Sequence, residues 1–403
     1  MWALSWLVAC SDVQRIGSTD ADSAFTAVPA SAPTLTSEPA SSAPWTCEPG
    51  TDPVQVAGVT TYGDLQSALD AVPDDNEKIV VCPGHYFGPF VAFASVTLES
   101  RDGPEVTVLD GGGYGSTLSL VWGAYVTGFT ITGGAAATGG GVVLEELGSG
   151  AYFKDCNIEG NVAEEGGGVW IGPNWYVLFA STSISGNTAV RGGGLYMLDG
   201  ADVDLTEYSD ITANVAEESG GGVYAWADNW LYGGPITENS TLSRDELQGG
   251  GGVFLRGTAE LMATTITNNA SFRGGGIRID DPFLGGPFGV AMNFVVLTGN
   301  VAVDPLMGDG QGGAAYLAAS APPLGTIDSV TVNSTVVLES NTADSGGGVY
   351  VKDGPTLASI GADWGDTDVD NAPDDVATET ISYVGYGSPA TFTCGAGACD
   401  PPP

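Results

Sequence analysis

Paired carboxylates are the residues of this chain best spaced to do chemistry, since two acids flanking a glycosidic bond can divide the acid, base and nucleophile roles. Asp280 with Asp281, and Asp199 with Asp202 and Asp204, are close enough in sequence to act together. A structural reading competes. Asp199, Asp281 and Asp353 each fall seven residues after the first glycine of a glycine-rich triplet, and Asp199 and Asp353 precede glycine, as turn acids do. Proton abstraction by a basic side chain would fall to Arg191, Arg256, Arg273 or Arg278, the basic residues on the repeats. The chain has 1 His, His85, which removes Ser-His-Asp and Cys-His catalysis and helical zinc motifs together.

A second cluster suits a metal. Asp366, Asp368, Asp370 and Asp374 stand at positions one, three, five and nine of a run that resembles EF-hand-like and thrombospondin type 3 calcium loops. Asn371 stands where such loops place glycine, and Ala377 where they place the bidentate acid. Acids this close repel one another, so either Ca²⁺ or exposure to solvent must relieve them.

The elements that must position these groups are repeats. Ile184-Ser-Gly-Asn187-Thr-Ala-Val-Arg-Gly192-Gly-Gly194-Leu-Tyr-Met197 has near-copies beginning at Ile158, Ile211, Ile266 and Leu338. The first glycines of the triplets are Gly139, Gly166, Gly192, Gly220, Gly250, Gly274, Gly312 and Gly346, mostly 24 to 30 residues apart. That step is too long for a hexapeptide solenoid and lacks the helical half of ankyrin or tetratricopeptide units, which leaves one β-solenoid coil per repeat. Three residues past each first glycine stand Val142, Val169, Leu195, Val223, Val253, Ile277, Ala315 and Val349; five past stand Leu144, Ile171, Met197, Ala225, Leu255, Ile279, Leu317 and Val351. Period-two alternation turns both columns into the core.

The position between them then faces outward, and it reads Val143, Trp170, Tyr196, Tyr224, Phe254, Arg278, Tyr316 and Tyr350. Trp170, Tyr196, Tyr224 and Phe254 on successive coils make either a flat stacking strip for sugar rings or a partner protein, or an aromatic ladder that stabilises the sheet under a loop carrying Trp226, Trp230 and Tyr232. Upstream of the triplets, Asn161, Asn187, Asn214, Asn269, Asn300 and Asn341 each follow Ile or Leu by three residues. Stacked in register, their amides can satisfy a buried turn coil by coil. The glycines are expected to supply sharp bends with positive φ.

These residues resemble the right-handed parallel β-helix proteins, in particular the repeats of the chlamydial polymorphic outer membrane proteins. Their Gly-Gly-Ala-Ile and Phe-x-x-Asn signatures are matched here by Gly-Gly-Gly-Val/Leu/Ile and Ile/Leu-x-x-Asn, with one Gly-Gly-Ala at Gly312 to Ala314. The likeness covers about residues 60 to 385 and implies an all-β, single-stranded right-handed parallel β-helix, a pectate-lyase-like solenoid. The relatives include adhesins, polysaccharide lyases and hydrolases. The polygalacturonase pattern of Asn-Thr-Asp, Asp-Asp and Gly-His-Gly is absent, and so is the autotransporter barrel.

Composition narrows the partners. A net charge of −39 from 49 acidic and 10 basic residues repels polyanions, so nucleic acid is excluded as a partner and acidic polymers require bridging cations. Leu7-Val8-Ala9-Cys10 in residues 1–10 resembles a bacterial lipobox with Cys10 as the lipidated residue, and Ser11 would direct the product to the outer membrane. Residues 11–53, rich in Ser, Thr, Ala and Pro, read as a disordered tether. The β-helix is expected over 54–385, with a tail over 386–403 closed by a small cysteine loop. Thr61 to Asp64 resembles a capping box ahead of a short helix through Leu65, Ala68, Leu69 and Val72, which plugs the open N-terminal end. With Cys10 lipidated, Cys47 with Cys82 and Cys394 with Cys399 are the natural disulfide pairs, and Cys156 is a buried small hydrophobe. The expected function is non-enzymatic binding or adhesion at a bacterial cell surface, toward a glycan or surface protein. A polysaccharide lyase or glycoside hydrolase is the competing class.

Overall fold

The structure is a computed structural model that describes residues 46–48, 51–72, 77–145, 150–206, 208–281, 289–319, 329–352, 356–365, 370–378, 382–383, 390–395 and 398–400. Contacts separate Met1–Pro44 from Trp45–Pro403, and all described residues belong to the second unit. Cys10 therefore lies outside the described residues, as do Asp353, Asp366 and Asp368.

One coil shows how sequence becomes shape. Tyr176–Ala180 alternates, with Val177 and Phe179 buried and Tyr176 and Leu178 turned out. Ser181 takes a left-handed turn, and Ser183–Ser185 then buries Ile184 alone. Thr188–Arg191 buries Ala189, and Leu195–Met197 returns after the triplet to bury Leu195 and Met197. Stacking about 10 such turns in parallel gives a right-handed β-helix with a 15-stranded, a 12-stranded and a 10-stranded sheet, plus a 5-stranded and a 2-stranded sheet on the strands before the triplets. The expected registers hold: Ile158, Ile184, Ile211, Ile236, Ile266, Leu297 and Leu338 are paired coil to coil, and both core columns join one apolar cluster from Val54 to Cys399.

The asparagine column is an uninterrupted ladder with two more rungs than its sequence pattern suggested. Asn161, Asn187, Asn214, Asn239, Asn269, Asn300, Asn341 and Asn371 are all buried. Each of the first seven donates its Nδ2 to Oδ1 of the next at 2.9 to 3.1 Å, and its backbone N–H goes to the same oxygen. Asn239 is hidden in the sequence because residues 242–248 separate it from its triplet. Asn371 was obscured by the acids around it.

The triplet glycines divide into two kinds. The first of each has φ between 54° and 73°, as expected, but the second and third have no positive φ. The second is glycine because the next coil leaves no room: a Cβ on Gly193 would stand 2.6 Å from the Val215 carbonyl oxygen, whereas the third position is close to the next coil but is alanine at Ala314.

At the N-terminal end the helix Leu65–Asp70 buries Leu65, Ala68 and Leu69. Its cap is Asp64, which accepts from the Ser67 N–H at 2.8 Å, rather than Thr61, whose hydroxyl bonds Asp52 instead. A disulfide joins Cys47 to Cys82. At the other end Ala390–Gly395 and Ala398–Asp400 pair antiparallel beyond Thr356–Ala362, with Phe392 against buried Trp364 and a disulfide between Cys394 and Cys399. Cys156 is fully buried and unpaired, and desolvation pushes its thiol up to about 11.

Candidate functional site

The aromatic column lies where period two puts it, on the outer face of the 12-stranded sheet, yet it is not an exposed strip. Tyr196, Tyr224 and Phe254 stack at 4.9 and 4.8 Å with nearly parallel rings, and each is only 2 % exposed. Trp170 packs against them and is partly exposed. Tyr316 and Tyr350 form a second stack of 5.5 Å with Ala318 and Ala377. The expectation of exposed aromatics is thus corrected, and the cover accounts for it. Trp226, two positions beyond Tyr224, donates its Nε1 to the Tyr196 hydroxyl at 2.7 Å, and the Arg256 guanidinium lies 4.7 Å over the Trp226 ring. Trp230 and Tyr232 sit on the 15-stranded sheet and take no part in this cover.

Arg278 and Tyr316, further along the same face, lie beside the segment 242–248 inserted between Asn239 and Gly250. It runs along the rod: Arg244 pairs with Asp304 at 3.2 Å, Glu246 with Lys352 at 3.1 Å, and the Gln248 carbonyl accepts from Arg278 at 3.0 Å. Arg278 is fully buried, 4.8 Å over Tyr316, and shares its strand face with buried Asp280. Desolvation lowers the Arg278 pKa, which the Asp280 charge opposes. A strap with these ties encloses an apolar and cationic face that would otherwise lie open to water.

A row of partly and fully exposed aromatics in continuous register lies on the 15-stranded sheet instead. Tyr125, Tyr152, Leu178, Asp204, Tyr232 and Met262 are successive register partners, and beside them run Gly150, Tyr176, Asp202, Trp230 and Glu260. No register shift interrupts either column. Tyr176 is 48 % and Tyr125 39 % exposed, while Tyr152, Trp230 and Tyr232 are partly exposed. Tyr125 and Tyr152 meet edge to face at 5.6 Å. The Tyr176 hydroxyl donates to Asp204 across one coil at 2.5 Å. Burial raises the Asp204 carboxyl above its usual range, against the opposing effect of that hydrogen bond. Burial likewise raises the Tyr176 phenol, with Asp204 adding to it.

Sequence reading found two of the three acids of this face, Asp202 and Asp204, but assigned Trp230 and Tyr232 to a covering loop and missed Tyr125, Tyr152, Tyr176 and Glu260. The signal was present: Tyr125, Tyr152 and Leu178 each stand fourteen residues before a first glycine, and the offset grows to sixteen at Asp204 and eighteen at Tyr232 as the turns lengthen. A column counted forward from the glycines misses residues aligned only by counting back.

The other candidates are separated. Asp199 is in an exposed turn, Asp280 is buried under the strap, and the Asp281 side chain is outside the described residues. Arg191 lies between Glu165 and Glu218, and Arg273 bonds Asp309. In the acidic run, Asn371 is the last ladder rung and donates to Asp375 and to the Leu338 carbonyl. Asp374 is buried and accepts from the Gly346 N–H at 2.5 Å, and Asp370 accepts from Asn371 N–H. The calcium-loop spacing over Asp370 to Asp374 is thus shared with the end of the ladder. Among the described residues, no group of three or more His, Cys, Asp or Glu is placed to hold a metal, and no helix is long and apolar enough to cross a membrane.

No family model, no curated protein and no solved structure matches the chain. The likeness to chlamydial repeats rests on the glycine and asparagine columns alone.

Proposed function

We propose that this protein is a glycan-binding adhesion protein of a bacterial cell surface, a β-helix held to the outer membrane through a lipid on Cys10. The strip Tyr125, Tyr152, Tyr176, Trp230 and Tyr232 carries the reading. Exposed rings stack on the apolar faces of sugars, and Asp202, Asp204 and Glu260 between them accept hydrogen bonds from sugar hydroxyls. The net charge of −39 favours neutral glycans over acidic ones. On a glycan array the wild-type protein should retain neutral oligosaccharides. The triple variant Tyr152→Thr, Tyr176→Thr, Trp230→Thr should lose that binding with little change in melting, because Thr suits an outward strand position. Equal retention by both proteins would overturn the strip as the site.

A glycoside hydrolase is the second reading, favoured by Asp202 and Asp204 on one strand face and by the raised Asp204 carboxyl. Release of reducing ends from a bound polysaccharide, lost in Asp204→Asn, would decide for it.

The lipobox supplies the tether. Expressed in a bacterial host with its full leader, the protein should enter detergent-rich membrane fractions, and Cys10→Ala should release it. If both partition alike, the anchor is wrong.

A further inference from the structure

We infer that the ligand of the Tyr125 to Glu260 face is an extended, β-linked neutral polysaccharide lying along the rod axis, one sugar ring per coil; this rests on the glycan-binding reading above. Three observations converge on that geometry. Register is continuous, so groups on this face recur at the coil step of about 4.8 Å. That step is close to the length by which one pyranose ring advances an extended β-linked chain, whereas an α-linked chain curls away from a straight row.

The composition along the row also suits a chain of sugars. Coil by coil it reads Tyr125, Tyr152 beside Gly150, Tyr176 with Leu178, Asp202 with Asp204, Trp230 with Tyr232, and Glu260 with Met262: ring platforms on both sides of a carboxylate centre. Stacking surfaces on either side of hydroxyl acceptors fit a ligand whose own faces are apolar and whose edges are polar. A protein partner would instead favour a contiguous apolar centre within a polar rim.

Width is the third match. The two columns lie two residues apart on each strand, about 7 Å, which seats one ring with its hydroxyls but not two chains side by side. Gly150, the register partner of Tyr176, leaves space beside Tyr152 on the second column.

The test is calorimetric titration of the purified protein with β-1,4-linked glucose oligomers of two, four and six rings, and with the α-1,4-linked six-ring oligomer. Affinity should rise with each added ring and be about tenfold or more higher for six rings than for two, since each stacked ring adds a factor of several. The α-linked oligomer should bind like the shortest. Tyr152→Thr and Trp230→Thr, which remove platforms at separate coils, should each weaken the six-ring ligand while sparing the two-ring one. Equal affinity for two and six rings, or equal affinity for the α-linked chain, would overturn the axial arrangement and leave glycan binding standing. Absence of binding by every oligomer and every array glycan would remove both.

Discussion

Asn214→Ala should destabilise its coil by about 3 to 6 kcal/mol, far more than the loss of one polar side chain from a surface turn. The Oδ1 of Asn214 accepts from both the backbone N–H and the Nδ2 of Asn187, and its own Nδ2 donates to the Ile184 carbonyl and to Asn239 Oδ1. All are buried, and methyl replacement leaves the Asn187 N–H, one of the two Asn187 Nδ2 hydrogens and the Ile184 carbonyl without these partners, at about 1 to 2 kcal/mol each, while Asn187 Nδ2 keeps its bond to the Ile158 carbonyl. Asn214→Asp should be no better: it keeps an acceptor but sets a carboxylate against the Ile184 carbonyl and Asn239 Oδ1. Because a solenoid's coils interact mainly with their neighbours, the loss should be local. Amide hydrogen exchange should show faster opening of the coils at Asn187, Asn214 and Asn239, with the terminal coils little changed. Protection equal to wild type around Asn187 would show that the ladder is ornamental.

That ladder also measures how far the chain could be read. Wherever a local rule acts at fixed spacing, the sequence was transparent: Val169, Leu195 and Val223 are paired and buried because period two and the triplet leave no other placement. Asn239 shows where reading stops. Its motif Ile236-Thr-Glu-Asn239 is intact, but the inserted strap 242–248 broke the spacing to Gly250, so the rung was visible only in three dimensions.

The site was harder to read for a related reason. Direction out of the core follows from alternation, and Tyr196, Tyr224 and Phe254 do point outward. Exposure depends in addition on what covers a face, and the ties of Glu246 to Lys352 and Gln248 to Arg278 span coils 106 and 30 residues apart, where no local rule reaches. The same limit hid the open face. Tyr125 and Tyr152 precede the glycines by a constant fourteen residues, but the offset reaches eighteen at Tyr232, because turn lengths vary while coil stacking keeps the registers aligned.

Replacing glycines within one triplet should separate close packing from backbone conformation. In Gly193→Ala the new methyl carbon would stand 2.6 Å from the Val215 carbonyl oxygen and well inside contact with that of Gly221. Both are main-chain atoms of the next coil, held by the ladder and by the Gly193 to Gly220 hydrogen bond of 3.0 Å, so neither can yield alone. The cost should exceed about 3 kcal/mol, at or above the upper range for overpacking. Gly194→Ala should cost distinctly less. Its methyl also approaches the Gly222 carbonyl, at 2.6 Å, but its other neighbours are the Ile211 and Asn214 side chains, and one coil already carries alanine at this position. Ala314 there is buried and still donates to the Gly347 and Gly348 carbonyls at 3.0 and 2.9 Å. Gly192→Ala tests a different cause, a φ of 66° imposed on an L residue, and should cost about 1 to 2 kcal/mol from conformation, with the contact to the Leu195 carbonyl added. Urea unfolding followed by hydrogen exchange should therefore rank the third glycine as the most replaceable of the three. If Gly194→Ala proved as damaging as Gly193→Ala, the alanine at 314 would have to depend on changes elsewhere in its coil rather than on slack at the third position.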